Sequence, residues 1–177
     1  MKKVLVVVDM QNDFVKGVLG TQDAVDIAPK VAEYIKNFDG DVYYTCDIHL
    51  HEKYLNTQEG KKLPIEHCIV GTEGSELTKE VKNVLEVKGM RMLKNQFACL
   101  TLISYLRYEK EDTDIYFCGV CTDICVVSNA LLIKAHYPEN EIYVVEDLCA
   151  GTTKENHDAA ITTMRNCQIN IIESGLK

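Results

Sequence analysis

A chain of 177 residues, 46% hydrophobic and 26% charged, has an ordinary globular composition; it is long enough for one well-buried core and short for two, so a single domain over residues 1–177 is expected. The formal net charge of -8, with no basic cluster beyond the Lys61-Lys62 pair, argues against nucleic acid or an anionic membrane as partner, since both require local positive charge. The apolar run that follows Met1-Lys2-Lys3 ends at Asp9 and is too short for a signal peptide or a membrane span. A cytoplasmic location is therefore expected, where the eight cysteines stay reduced instead of forming a disulfide framework.

Residues 4–8 read as a buried first strand closed by Asp9. Ala28, Val31, Ala32 and Ile35 then share one helical face, with Pro29 expected in the first turn and Gly40 ending the element. A second strand, 41–46, is closed by Asp47. Residues 47–74 show little period and contain Gly60, Pro64, Gly71 and Gly74; loops this long are commonly functional, and this one holds three of the five histidines. Leu77, Val81, Val84 and Leu85 predict a second helix, residues 90–93 a third strand closed by Lys94, and Cys99, Leu102, Ile103 and Leu106 a third helix.

A fourth strand, 114–118, runs through a tight turn into a helix over 126–135. A fifth strand at 141–145, a capping box of Thr152 with Glu155 and a sixth strand at 168–172 complete the chain. Strands alternating with helices specify an α/β fold: a three-layer αβα arrangement with a six-stranded parallel sheet, Rossmann-like, and helices on both faces.

In such sheets ligands bind at the carboxyl ends of the strands, which is where Asp9, Asp47, Lys94 and, after the turn, Cys125 fall. Cys125 is the candidate nucleophile, because a thiol at a helix start meets unpaired N–H groups and the positive end of the dipole, which favour thiolate. Asp9 is placed to be its base if burial raises its pKa, and Lys94 to hold both ionised groups. Asp47 and His49, two apart, with the remote His67, offer mixed O and N donors suited to Zn²⁺, Mn²⁺ or Fe²⁺. Cys118 and Cys121 form a C-x-x-C, whose alternative reading is a thiol redox protein; no second C-x-x-C exists for a structural zinc. Cys46, Cys99, Cys149 and Cys167 read as small buried apolar residues.

Five segments occur together in order: Val7-Val8-Asp9-Met10-Gln11-Asn12-Asp13-Phe14; Asp47-Ile48-His49; Glu66-His67-Cys68 with Gly71-Thr72-Glu73-Gly74; Lys94 with Phe97; and Gly119-Val120-Cys121-Thr122-Asp123-Ile124-Cys125-Val126. In these the chain resembles the isochorismatase-like cysteine hydrolases, and within them the nicotinamidase and pyrazinamidase branch. The resemblance implies a catalytic Asp9, Lys94 and Cys125, and a cis peptide at Val120–Cys121 that aims the N–H of Cys121, beside that of Cys125, into an oxyanion hole. It also implies a divalent metal, zinc first and Mn or Fe as alternatives, on Asp47, His49 and His67. Leu55 stands where some members carry a further histidine; others use a Glu several residues before the last histidine, and the resemblance points to Glu59 as its equivalent and candidate fourth ligand, with His51 as runner-up. Nicotinamidases often have tryptophan at the position of Ile48; this chain has none, so Phe14, Tyr54 and Phe97, with Val120, become the candidate pocket wall. The implied reaction is hydrolysis of a small-molecule amide, nicotinamide first, through a thioester. The rival is a carbamoyl or ureido substrate on the same scaffold. Isochorismatase proper cleaves a vinyl ether and typically lacks a cysteine at the position of Cys125. A homo-oligomer, dimer or tetramer, is the family's habit.

Overall fold

The computed structural model describes residues 2–106 and 113–176. Its six strands, β1 (Lys2–Val8), β2 (Asp41–Asp47), β3 (Gly89–Lys94), β4 (Thr113–Val120), β5 (Ile142–Ala150) and β6 (Asn170–Ile172), form one parallel sheet in the order β3-β2-β1-β4-β5-β6. A parallel sheet needs helices on both faces, and its central strand is accordingly apolar without alternation: residues 4–8 are all buried. The helices are α1 (Asn12–Val15), α2 (Gln22–Asn37), α3 (Gln58–Lys62), α4 (Lys79–Lys88), α5 (Thr101–Leu106), α6 (Val127–His136) and α7 (Lys154–Asn166). α2 packs on α4 over one face, while α5, α6 and α7 form the other layer.

The chain builds outward from β1 to β3, then returns to lay β4 against the other side of β1. That reversal opens a crevice between the carboxyl ends of β1 and β4, the position where doubly wound sheets bind ligands. Gly119 makes the close pairing of these two strand ends possible. It sits opposite Val8 with φ +114, and a Cβ there would lie 2.2 Å from the Val8 carbonyl oxygen.

Three local expectations are corrected. α2 begins at Gln22, capped by Thr21 accepting from the Ala24 N–H, so Pro29 lies in mid-helix and not in its first turn. It faces solvent, on the exposed side of the helix. α7 is capped by Thr153, whose side chain accepts from the Asn156 N–H, one residue later than the Thr152–Glu155 box. Cys167 is exposed, whereas Cys46, Cys99 and Cys149 are buried.

The long loop is folded, not irregular throughout. A 3-10 turn at Tyr54–Asn56 leads into α3, capped by Thr57, and a bridge between His49 and Ile69 closes the loop on itself. No helix among the described residues is long and apolar enough to cross a membrane.

Candidate active site and metal centre

Asp9 leaves β1 in the left-handed region (φ +48), which turns its fully buried carboxylate back over the strand ends. Thr45, two residues before Asp47 on the same face of β2, donates its hydroxyl to Asp9 Oδ1 at 2.7 Å. Lys94, the last residue of β3, reaches across: its Nζ lies 2.7 Å from Asp9 Oδ2, 3.6 Å from Asp47 Oδ1 and 3.6 Å from Cys125 Sγ. The Asp9 carboxylate is also within side-chain hydrogen-bond reach of the Cys125 thiol, which places it to take the thiol proton.

Cys125 lies in a wide π-type turn, Thr122–Val126, that precedes α6. The peptide Val120–Cys121 is cis, at the position implied by the family pattern. Burial pushes the Cys125 thiol well up, and the charges of Asp9 and Asp47 add to this against Lys94. This direction is opposite to the thiolate preference expected from a helix start, and its causes are loss of water and two neighbouring carboxylates. Burial likewise raises Asp9, moderated by Lys94 and by the hydrogen bond from Thr45. For Lys94, burial works against the charge, but Asp9, Cys125 and Asp47 outweigh it and hold the ammonium above its ordinary value. A buried thiol with raised proton affinity thus sits beside a carboxylate whose proton affinity is also raised and a fixed cation.

On the far side of Lys94, Asp47 faces the long loop. Its Oδ2 lies 3.0 Å from His49 Nε2 and 3.8 Å from His67 Nε2, while Glu59 Oε1 is 3.5 Å from His67 Nε2. One donor atom from each of these four residues falls within 4.8 Å of the others, and Asp47, His49 and His67 are buried. Burial works against ionisation of Asp47, yet hydrogen bonds from His49 and His67 and the charge of Lys94 hold its carboxyl well below the usual range. Two imidazoles and two carboxylates at this spacing fit a divalent ion. His51, exposed and paired with Glu66 at 3.1 Å, stands outside the group.

Cys125 opens into a cavity of ≈ 510 Å³ lined on its apolar side by Phe14, Leu19, Leu63, Phe97 and Ile124, and on its polar side by Asp47, Glu59, Lys62 and His67. Phe14 and Phe97 are thus placed on its wall. Tyr54 and Val120 are not. Tyr54 is buried edge-on against His49 and His67, donates its hydroxyl to Leu63 O, and lines a second hollow on the His49 side. Val120 is fully buried at the end of β4, paired with Ala150.

Several supporting residues carry no sequence-level assignment. Gln11 donates from Nε2 to Asp47 O and Ser75 O, and accepts from the Asp47 N–H, fixing the backbone of the shared carboxylate. Asp13 accepts from the Cys68 N–H, next to His67, and packs against Gly74. Thr45 was legible, since strand period puts it on the face of Asp47. The roles of Gln11 and Asp13 depend on contacts 36 or more residues away and leave no local signal. Cys118 is fully buried in β4 and its thiol is pushed well up by burial, the reverse of a reactive redox cysteine.

Residues 3–175 match the family model described as the isochorismatase domain. A nicotinamidase of Schizosaccharomyces pombe is 25% identical over 204 aligned positions, covering 95% of this chain and 91% of that protein. The zinc complex of the pyrazinamidase of Pyrococcus horikoshii superposes with a TM-score of 0.82 at 26% identity, over 98% of this chain and 99% of that one. The N-carbamoylsarcosine amidase of Thermoplasma acidophilum does so with a TM-score of 0.80 at 25% identity, over 100% and 99%.

Proposed function

The chain belongs to the isochorismatase-domain family, and from that premise we propose that it is a cysteine amidohydrolase that converts nicotinamide and water to nicotinate and ammonia. Hydrolysis of an amide C–N bond is the chemistry of its nicotinamidase relatives. The observation that carries the reading is the convergence on one cavity of Cys125, with Lys94 Nζ 3.6 Å from its sulfur and 2.7 Å from Asp9, and of Asp47, Glu59 and His67, three of the four clustered donors.

Asp9 takes the Cys125 proton as the thiolate attacks the carboxamide carbon, and the backbone N–H groups of Cys121 and Cys125 stabilise the oxyanion. Asp9 returns the proton to the departing nitrogen and ammonia leaves a thioester on Cys125. The same carboxylate then activates water, which cleaves the thioester to the acid and restores the thiol. Lys94 stays protonated throughout and fixes Asp9 and the developing thiolate by charge. Asp47, His49, Glu59 and His67 would hold a divalent ion, Zn²⁺, Mn²⁺ or Fe²⁺, whose chemistry when bound is Lewis acidity toward a ring nitrogen, a positioning effect on the amide. Phe14 and Phe97 supply the apolar wall for the ring.

Ammonia release from nicotinamide by the metal-loaded protein tests the reading, with Cys125→Ala and Asp9→Asn as controls and a chelator lowering the rate. Turnover of an N-carbamoyl compound with none of nicotinamide would instead favour the second reading, which rests on the likeness to the N-carbamoylsarcosine amidase.

A further inference from the structure

The turn that carries Cys125 is held from outside by the start of α7. Asp123 accepts from both the N–H and the hydroxyl of Thr152, at 2.8 Å and 2.6 Å. Thr122, fully buried, lies with its Oγ1 2.8 Å from Nδ1 of His157, itself buried in the first turns of α7. The two segments meet closely at Gly151, where a Cβ would lie 2.9 Å from Asp123 Oδ1 and 2.9 Å from His157 Cβ. His157 Nε2 faces Glu146 Oε1 at 3.9 Å. That carboxylate favours the tautomer carrying its proton on Nε2, so Nδ1 is an acceptor and the Thr122 hydroxyl the donor. Burial and the charge of Lys154 both act to keep the imidazole neutral, which preserves that direction.

Resting on the amidase reading, we propose that His157 is a positioning residue for the reaction: through the Thr122 hydroxyl it fixes the turn that aims Cys125 and the N–H groups of Cys121 and Cys125. Neither Thr122 nor His157 lines the cavity over Cys125, so neither contributes to binding the ring. The contact instead bears on alignment, where displacements of an ångström or less are costly to rate. Thr122 follows Cys121 directly and begins the turn that ends one residue after Cys125, so a rotation at Thr122 moves the Cys125 N–H and thiol relative to the Cys121 N–H. The Asp123–Thr152 contact holds the turn's exposed side, and the Thr122–His157 contact its buried side.

The test compares Thr122→Val, Thr122→Ser, His157→Ala, His157→Asn and the Thr122→Val/His157→Ala double variant. Two readouts are followed: steady-state ammonia release from nicotinamide, and the rate at which iodoacetamide alkylates Cys125, located by peptide mass spectrometry. The expected result is a fall in kcat of about tenfold or more in Thr122→Val and His157→Ala, with KM within about twofold. The double variant should be no worse than the poorer single one, because both remove one contact. Thr122→Ser keeps the hydroxyl, and His157→Asn offers an amide oxygen near the place of Nδ1; both should recover most of the rate. The same rank order is expected in the alkylation rates. Wild-type kcat in Thr122→Val, multiplicative losses in the double variant, or losses that follow the fall in Tm without rescue would overturn the proposal. If the wild-type protein leaves nicotinamide untouched, the substrate reading fails, and the alkylation series still decides whether His157 and Thr122 position Cys125.

Discussion

Lys94→Met isolates what the buried cation does. The ammonium lies 2.7 Å from Asp9 and 3.6 Å from Asp47, with side-chain exposures of 1%, 0% and 5% for the three residues, so solvent screens neither pair appreciably. With an effective dielectric constant of about 20, Coulomb's law gives about 6 kcal/mol of attraction for the closer pair and about 5 kcal/mol for the other. Desolvation of the ammonium offsets much of this, while its removal leaves the buried Asp9 carboxylate without a cation, Asp47 keeping its hydrogen bonds from His49 and His67, a change that costs about 3 to 5 kcal/mol. The loss should depend on pH. Burial already raises Asp9 in the native state, and without Lys94 nothing cationic opposes that rise. The folded variant then binds protons more readily than its unfolded chain, so its stability increases as pH falls through the raised native value. The deficit relative to wild type is therefore full near neutral pH and narrows toward acid. Urea unfolding of both proteins in chelator, at about pH 7.5 and about pH 5, measures this directly. A deficit below about 1 kcal/mol at the higher pH, or one that does not change at the lower, would refute the argument that Lys94 neutralises buried carboxylates.

Alkylation of Cys125 by iodoacetamide should be slow at neutral pH and accelerate as pH rises, because burial and the neighbouring carboxylates push its thiol well up; a rate already flat at neutral pH would show a resting thiolate. Gln11→Leu strands the Asp47 and Ser75 backbone groups that its amide now pairs, and should cost about 2 to 4 kcal/mol in denaturant unfolding while weakening metal uptake about tenfold in a competition titration. Gly119→Ala places a methyl 2.2 Å from the Val8 carbonyl oxygen at a φ of +114, and should lower stability by about 2 kcal/mol or more as measured by Tm.

The strands were legible because each is a short apolar run bounded by a charged or glycine residue, and the parallel alternation follows from the helical periods between them. Asp9, Asp47 and Lys94 stood out for the same reason: each is a charge at the first position where the chain leaves the buried sheet. What the residues did not disclose is orientation. Tyr54 and Phe97 are both aromatic residues beyond a strand end, yet one props two histidines and the other walls the cavity, because the loop containing Tyr54 folds back through the His49–Ile69 bridge. Pro29 misled because propensity marks where a helix is weak, not where it starts; packing of Ala24, Ile27, Ala28, Val31 and Ile35 outweighs it. Thr152 misled because two threonines compete for one cap, and the loser is taken by Asp123 from 29 residues away.

In the proposed mechanism the thiol passes its proton to Asp9 and not to solvent, and the charges of the crevice supply the reason. Asp9 and Asp47 both face the Lys94 ammonium, and both carboxylates oppose a further negative charge on Cys125. Releasing the thiol proton to water would add a negative charge in a place where burial and both carboxylates oppose it. Transfer to Asp9 leaves the total unchanged and exchanges one anion for another beside the same ammonium, since Lys94 Nζ contacts both Asp9 and the Cys125 sulfur. The proton also stays next to the reacting carbon, where the departing nitrogen needs it. A helix end alone would favour a standing thiolate; in the proposed mechanism the carboxylates and the burial instead tie ionisation to attack, so that the nucleophile forms as the oxyanion donors acquire a charge to stabilise.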